Sequence, residues 1–178
     1  MITLLLGGAR SGKSTLAVEM GLRHGGPVVF VATAEPFDDD LRERIERHRD
    51  ERPGWPTVEA PVDLASAVAD APPDALVIVD CLTVWLGNLF HHVPSVDDRA
   101  VHTASLVDAL NRRSATTVVV SNEVGLGLHP DSPIGREYRD ELGRLNQRVA
   151  AASERVLLLV AGRALALADP WTLLEDRP

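Results

Sequence analysis

The chain has 178 residues, enough for one domain with a sizeable core and few for two. Its net charge of −8 argues against a nucleic-acid-binding protein, and no apolar run approaches the ~20 residues that span a bilayer. One cysteine, Cys81, excludes an internal disulfide, and residues 2–6 lack the basic leader of a signal peptide, so we expect a cytoplasmic protein.

Short apolar runs alternate with helical patterns along the chain. Residues 2–6 predict a buried strand, 13–23 a helix and 28–32 a second strand, and an acidic cluster at 38–40 followed by arginines indicates a helix that ends near Pro53. Further strands are predicted at 75–80, 116–121 and 156–160, and helices at about 82–90, 97–113 and 135–153. Strands without polar alternation, separated by helices, predict a single α/β domain over residues 1–178, with a mostly parallel sheet between two helical layers.

A phosphate-binding pattern follows the first predicted strand. Gly7-Gly8-Ala9-Arg10-Ser11-Gly12-Lys13-Ser14 fits G-x-x-x-x-G-K-[ST] and opens a predicted helix. The three glycines would let backbone N–H groups face the phosphates, and Lys13, the only lysine in the chain, would reach the β- and γ-phosphates. Ser14 would supply a hydroxyl to Mg²⁺. A chance match in a glycine turn is the alternative, and the flanking strand and helix favour phosphate binding.

Asp80 closes the most apolar predicted strand, which is typical of the carboxylate that binds the magnesium shell in such sites. The alternative is an aspartate that merely caps the next helix. With Lys13 as its only lysine, the chain contains no guanine-reading N-K-x-D motif, which argues against a signalling GTPase.

Histidines provide a less decided signal. His48 shares the inward face of its predicted helix with Leu41 and Ile45, and nearby arginines favour the neutral imidazole that a nucleophile needs. On this pattern alone, a packed or surface histidine is the more ordinary interpretation. The pair His91-His92 lacks spacing to other metal ligands, so we expect it to be solvated.

A polar run, Ser121-Asn122-Glu123-Val124-Gly125-Leu126-Gly127, follows the strand predicted at 116–121. Its polar residues should emerge at the end of the sheet where ligands bind in parallel α/β folds. A simple glycine-rich turn is the alternative.

Together these blocks resemble the bifunctional adenosylcobinamide kinase/adenosylcobinamide-phosphate guanylyltransferase family of cobalamin biosynthesis. The resemblance runs in collinear order through nearly the whole chain. It rests on residues 7–14, Ala32-Thr33-Ala34, Arg44-Ile45 with His48, Arg52-Pro53 with Trp55, Asp80-Cys81-Leu82-Thr83 with Trp85 and Asn88, Ser121 to Gly125, Arg136, Arg139-Asp140, Gly143-Arg144 and Asn146-Gln147.

The resemblance implies a RecA-like P-loop NTPase fold, two activities and a homo-oligomer. ATP or GTP would phosphorylate adenosylcobinamide, and GMP from GTP would then pass to the phosphate through a guanylylated His48, with Lys13 as the second catalytic residue and Mg²⁺ at Ser14 and Asp80. The implied nucleotide-binding residues are Gly7, Gly8, Ala9, Arg10, Ser11, Gly12, Lys13, Ser14, Ala32, Thr33, Ala34, Arg49, Asp50, Glu51, Arg52, Glu59 and Asp80.

Two other functions remain as alternatives, a monofunctional P-loop small-molecule kinase and a non-catalytic nucleotide-binding module. The later collinear blocks disfavour the first, and the missing guanine-reading lysine disfavours the second. The chain departs from the family near its end. Members of the family usually carry a G-x-P-like turn and a late lysine there, whereas Gly162-Arg163-Ala164 is followed by no lysine.

Overall fold

The computed structural model describes residues 1–35 and 53–175. The strands in these ranges are β1 (Ile2–Gly7), β2 (Val28–Ala32), β3 (Thr57–Glu59), β4 (Leu76–Asp80), β5 (Thr117–Val120), β6 (Arg155–Val160) and β7 (Arg163–Ala166). The helices are α1 (Lys13–Arg23), α2 (Leu64–Asp70), α3 (Leu82–His92), α4 (Val96–Arg112), α5 (Pro133–Ala151) and α6 (Pro170–Glu175).

The seven strands of the described ranges form one sheet in the order β3-β2-β4-β5-β1-β6-β7. All neighbours are parallel except β6 and β7, which form an antiparallel hairpin. The two residues of its turn, Ala161 and Gly162, both have positive φ, as tight two-residue hairpin turns of this kind require. The parallel strands therefore end together at one edge of the sheet, which we call the carboxyl edge.

Alternate strand residues build a core on each face of the sheet. Leu4 and Val79 face one core, which α2, α3, α4 and α5 cover. Leu5 and Ile78 face the other, where α1 packs through Ala17. This two-sided burial explains the uninterrupted apolar strands and confirms the predicted three-layer α/β/α arrangement.

Local sequence signals start three of the helices. The side chains of Asp63, Ser95 and Ser132 each accept a hydrogen bond from the backbone N–H three residues later. These bonds satisfy N–H groups that lack partners within the first helical turn. In contrast, α1 begins after Gly12, and no side chain of the described residues caps its first N–H groups.

The sequence located most elements correctly, with boundaries that differ by at most two residues. It missed β3, α2, β7 and α6, because these are three to seven residues long and β3 and β7 are exposed throughout. The helix predicted between residues 38 and 52 lies outside the described residues. Of the helices in the described ranges, none is long and apolar enough to cross a membrane.

Candidate functional site

The loop between β1 and α1 has a backbone that only particular residues tolerate. Gly7 has a φ of 148°, Gly12 of 99° and the non-glycine Arg10 of 56°. Gly8 is exposed and does not share this conformation. The loop thus needs glycine for its backbone shape at two of its three glycine positions.

The β6–β7 hairpin packs directly against this loop. A Cβ at Gly7 would lie 2.3 Å from the carbonyl oxygen of Leu159, and one at Gly12 would lie 3.4 Å from the Cα of Gly162. The N–H of Gly162 also donates to the carbonyl oxygen of Ser11 at 3.0 Å. The far end of the chain therefore supports the phosphate loop from one side.

Lys13 is buried, with 6% of its surface exposed. Its Nζ donates to the carbonyl oxygen of Gly8 at 2.7 Å and to the Oγ of Ser11 at 3.4 Å. Burial lowers the pKa of the Lys13 ammonium, and the nearby Cys81 and Asp80 act in the opposite direction. The amine is therefore held within the loop and interacts electrostatically with the carboxylate of Asp80 at the end of β4.

Asp80 ends β4 at the carboxyl edge, and β5 alone separates β4 from β1. Asp80 and Ser14 are both half-buried. The described ranges hold no cluster of three or more histidine, cysteine, aspartate or glutamate side chains suited to a metal. One hydroxyl and one carboxylate nevertheless fit Mg²⁺, which keeps several waters and binds proteins through one or two carboxylates together with substrate phosphates.

The half-buried Cys81 follows Asp80 directly. Burial raises the pKa of its thiol to about 11, with the charge of Asp80 adding to the effect. A thiol with such a pKa stays protonated near neutrality and is a poor nucleophile. Cys81 therefore contributes packing and backbone contacts.

Thr33 joins the ends of β2 and β4. Its side chain is fully buried, and its Oγ1 accepts from the N–H of Cys81 and donates to the carbonyl oxygen of Cys81, both at 2.8 Å. Its own N–H donates to the carbonyl oxygen of Asp80 at 3.2 Å. The predicted binding residue Thr33 is thus fixed beside the predicted magnesium ligand.

The polar residues after β5 form a second network at the carboxyl edge. Ser121 donates to Oδ1 of Asn146 at 2.7 Å, and Nδ2 of Asn146 donates to the carbonyl oxygen of Asn122 at 3.0 Å. The N–H of Asn122 donates to Oγ1 of Thr83 at 2.7 Å, while the N–H of Glu123 donates to the carbonyl oxygen of Gly7 at 3.2 Å. The run therefore emerges at the carboxyl edge, as predicted.

The family model of cobinamide kinase / cobinamide phosphate guanyltransferase matches residues 3–167. The chain belongs to this family. A Pseudomonas aeruginosa relative, the bifunctional adenosylcobalamin biosynthesis protein CobP, is 40% identical over 172 residues that cover 94% of this chain and 97% of the relative. The Escherichia coli and Salmonella typhimurium proteins named CobU are 39% and 37% identical, each over 91% of this chain and 97% of the relative.

Solved structures support the fold of this family member. An ATPase from a bacterial type III secretion system superposes with a TM-score of 0.55 at 13% identity, covering 99% of this chain and 54% of that one. A Pyrococcus horikoshii protein, PH0250, gives the same TM-score at 7% identity, over 93% of this chain and 84% of that one. With the loop geometry above, these likenesses confirm the predicted P-loop NTPase fold.

The remaining predicted residues of the cobinamide kinase / cobinamide phosphate guanyltransferase site are spread along the carboxyl edge. Ala9 and Arg10 are exposed at the tip of the phosphate loop, Ala32 and Ala34 flank Thr33, and Glu59 is exposed at the end of β3. Across the sheet, β3 lies four strand spacings of ~4.8 Å from β1, or roughly 19 Å. His48, Arg49, Asp50, Glu51 and Arg52 lie outside the described residues.

The pair His91-His92 ends α3 and is exposed. Nε2 of His92 lies 2.7 Å from Oε2 of Glu35. Glu35 directly follows Ala32-Thr33-Ala34, one of the segments on which the family resemblance rests. Nothing in the local pattern predicts this contact, because the two residues are 57 positions apart.

Sequence reasoning assigned no role to Asn88, Thr83 or Asn146, although all three join the networks at the carboxyl edge of this family fold. One signal was available for Asn88. It lies between Trp85 and Leu89 on the buried side of α3, where an amide must find hydrogen-bond partners.

Proposed function

We propose that the chain phosphorylates adenosylcobinamide with ATP or GTP and then transfers GMP from GTP to adenosylcobinamide phosphate, giving adenosylcobinamide-GDP. The observation that carries the proposal is the phosphate loop, with Lys13 buried inside it and Asp80 beside it, in a chain that belongs to the cobinamide kinase / cobinamide phosphate guanyltransferase family.

In the phosphorylation step, the hydroxyl oxygen of the aminopropanol arm attacks the γ-phosphorus. The bond from γ-phosphorus to the bridging oxygen breaks, a nucleoside diphosphate leaves, and the hydroxyl proton passes to solvent. Lys13 and the uncapped N–H groups of α1 hold the γ-phosphoryl oxygens. Mg²⁺ held by Ser14 and Asp80 would neutralise charge on the β- and γ-phosphates.

In the second reaction, an imidazole nitrogen of His48 attacks the α-phosphorus of GTP, and pyrophosphate leaves toward Lys13. A phosphate oxygen of adenosylcobinamide phosphate then attacks the same phosphorus. The P–N bond breaks, a P–O–P bond forms, and neutral imidazole is restored. The roughly 19 Å from β1 to β3 supports an extended nucleotide, with phosphates at the loop and the nucleoside toward Thr33 and Glu59.

We also propose a homo-oligomer that uses the exposed apolar side chains of β7 and α6. Over a short stretch of sequence these two elements expose large apolar side chains, each with 54–68% of its area accessible, as is typical of interaction sites: Leu165, Trp171, Leu173 and Leu174. Sedimentation equilibrium should give a multiple of the 19.2 kDa chain mass, and Trp171→Glu should reduce it. A wild-type monomer at micromolar concentration would contradict this assembly.

We infer that both reactions take place in the cytoplasm, without a nucleic-acid partner. A single cysteine suits a reducing compartment, and the charge of −8 disfavours nucleic-acid binding. Fractionation of the native host, with the activity followed in the soluble and membrane fractions, tests the location.

The experiment that tests the activity is incubation with α-labelled GTP and Mg²⁺, followed by a search for acid-labile label on the protein. Label should survive in His91→Ala, His92→Ala and His129→Ala variants and vanish in His48→Ala. Lys13→Ala should lose both labelling and phosphorylation, whereas His48→Ala should retain phosphorylation.

The alternatives give different results in the same assay. A wild-type protein that transfers the γ-phosphate of GTP to adenosylcobinamide yet never carries α-label would be a monofunctional kinase. A protein that binds nucleotide and performs neither reaction would be a binding module.

A further inference from the structure

Asn88 is a buried amide on α3 that contacts two separate stretches of backbone. It is 2% exposed, and its Nδ2 donates to the carbonyl oxygen of Thr33 at 2.7 Å and to that of Pro61 at 3.0 Å. An amide nitrogen carries two hydrogens, so these two bonds use its whole donor capacity. Asn88 therefore ties the backbone after β2 to the backbone after β3.

Neighbouring contacts make this tie more rigid. One turn earlier on α3, Nε1 of the fully buried Trp85 donates to the carbonyl oxygen of Val62 at 2.8 Å. The N–H of Ala60 donates to the carbonyl oxygen of Ala32 at 2.8 Å. Trp85 and Asn88 thus both hold residues 60–62 in place. Asn88 also binds Thr33 at the end of β2, whereas the Trp85 bond does not reach that strand.

The two stretches flank a particular part of the sequence. Thr33 precedes residues 36–52 and Pro61 follows them, and that part of the chain contains His48. We propose that Asn88 is a positioning residue for guanylyl transfer, because it fixes the described backbone on both sides of the sequence that carries the nucleophile. This inference rests on the proposed role of His48.

Phosphorylation should depend less on Asn88. The phosphate loop receives its support from the β6–β7 hairpin, through Leu159 and Gly162. Asp80 is held by strand pairing, since β4 pairs with β2 on one side and β5 on the other. Loss of the Asn88 amide leaves these contacts in place.

Asn146 offers a matched control. It is also a buried asparagine, 5% exposed, on a helix that covers the same face of the sheet. Its amide makes two hydrogen bonds at the end of β5, to Ser121 and Asn122 rather than to the flanks of residues 36–52. Asn146→Ala therefore removes a similar buried amide from the same edge without removing a hydrogen bond to Thr33 or Pro61.

The test compares two initial rates in each full-length variant, formation of adenosylcobinamide phosphate and incorporation of α-label from GTP into the protein. A smaller folded fraction lowers both rates together, so their ratio isolates positioning. For Asn88→Ala we expect the ratio of labelling to phosphorylation to fall at least tenfold, with the KM for GTP in phosphorylation within threefold of wild type. Asn88→Ser keeps one donor and should give an intermediate ratio, which also serves if the alanine variant fails to fold. Asn146→Ala should keep the wild-type ratio.

Equal loss of both rates in the Asn88 variants, or an unchanged ratio, would overturn the positioning role. A ratio that falls as far in Asn146→Ala as in Asn88→Ala would overturn it as well. A wild-type protein that phosphorylates but takes up no label would instead refute the proposed guanylyl transfer itself, so the two failures are distinct.

Discussion

Replacing Gly7 by alanine should disable the phosphate loop, whereas the same replacement at Gly8 should be tolerated. At Gly7 the new Cβ would lie 2.3 Å from the carbonyl oxygen of Leu159 and 2.8 Å from Oγ of Ser11, and the backbone φ is 148°. A backbone conformation reserved for glycine costs about 1–3 kcal/mol, and overpacking costs about 1–3 kcal/mol more. The sum, about 4 kcal/mol, lowers the melting temperature of a domain of this size by ~8–16 °C.

Gly8→Ala is the matched control. Apart from its chain neighbours, no atom of the described residues lies within 4 Å of its added Cβ, and its φ is outside the left-handed region. Its stability should stay within about 0.5 kcal/mol of wild type. Urea unfolding and thermal melting of wild type, Gly7→Ala and Gly8→Ala measure the difference in stability. Binding of a fluorescent GTP analogue reports whether the phosphate loop still binds nucleotide. Equal stability of Gly7→Ala and Gly8→Ala would refute the idea that Leu159 and the backbone angle dictate glycine at position 7.

Two further predictions concern charged groups outside the loop. Arg99 is 3% exposed and donates hydrogen bonds to both carboxylate oxygens of Glu141. Arg99→Met should lower the free energy of unfolding by about 3 kcal/mol, because it leaves that carboxylate without its cation. An unchanged midpoint of urea unfolding would contradict this. The backbone N–H of Ile2 lowers the pKa of Glu154, so the carboxylate stabilises the fold above its ordinary pKa and this contribution is lost as pH falls through the lowered value. At pH 7, Glu154→Gln should therefore be less stable than wild type by under about 1 kcal/mol, since Glu154 and its partner at the amino terminus are exposed. Near pH 2 the two proteins should be equally stable. A stability difference that grows on acidification would contradict the lowered pKa of Glu154.

The sequence was sufficient for the layers of the fold and the ends of its central strands. Val77 and Val79 face one core and Ile78 faces the other. A strand buried on both faces needs apolar residues at every position, so an unbroken apolar run predicts it. Because parallel strands end at one edge, placing Asp80 near Lys13 required only the strand boundaries. Local patterns carry this kind of information well.

Contacts between distant parts of the chain were not accessible in the same way. The pattern around the loop treats Gly7 and Gly8 alike, and the difference between them comes from Leu159, which is about 150 residues away in sequence. The bond from Asn88 to Thr33 spans 55 positions, and no periodicity encodes which carbonyl a buried amide will meet. The roles of His48 and Arg49 stay predictions, since those residues lie outside the described ranges.

The hydrogen bond from Lys13 to the carbonyl oxygen of Gly8 gives the buried ammonium a partner before any phosphate binds, which avoids the cost of a buried charge without one. An ammonium has three N–H donors, so under the proposed function a nucleotide phosphate would either use a remaining donor or compete with this carbonyl oxygen. Where the two compete, only the difference between two ammonium–oxygen bonds, each worth about 1.5–3 kcal/mol, would add to the affinity. The same carbonyl oxygen would then be available to the amine again when a diphosphate or pyrophosphate leaves.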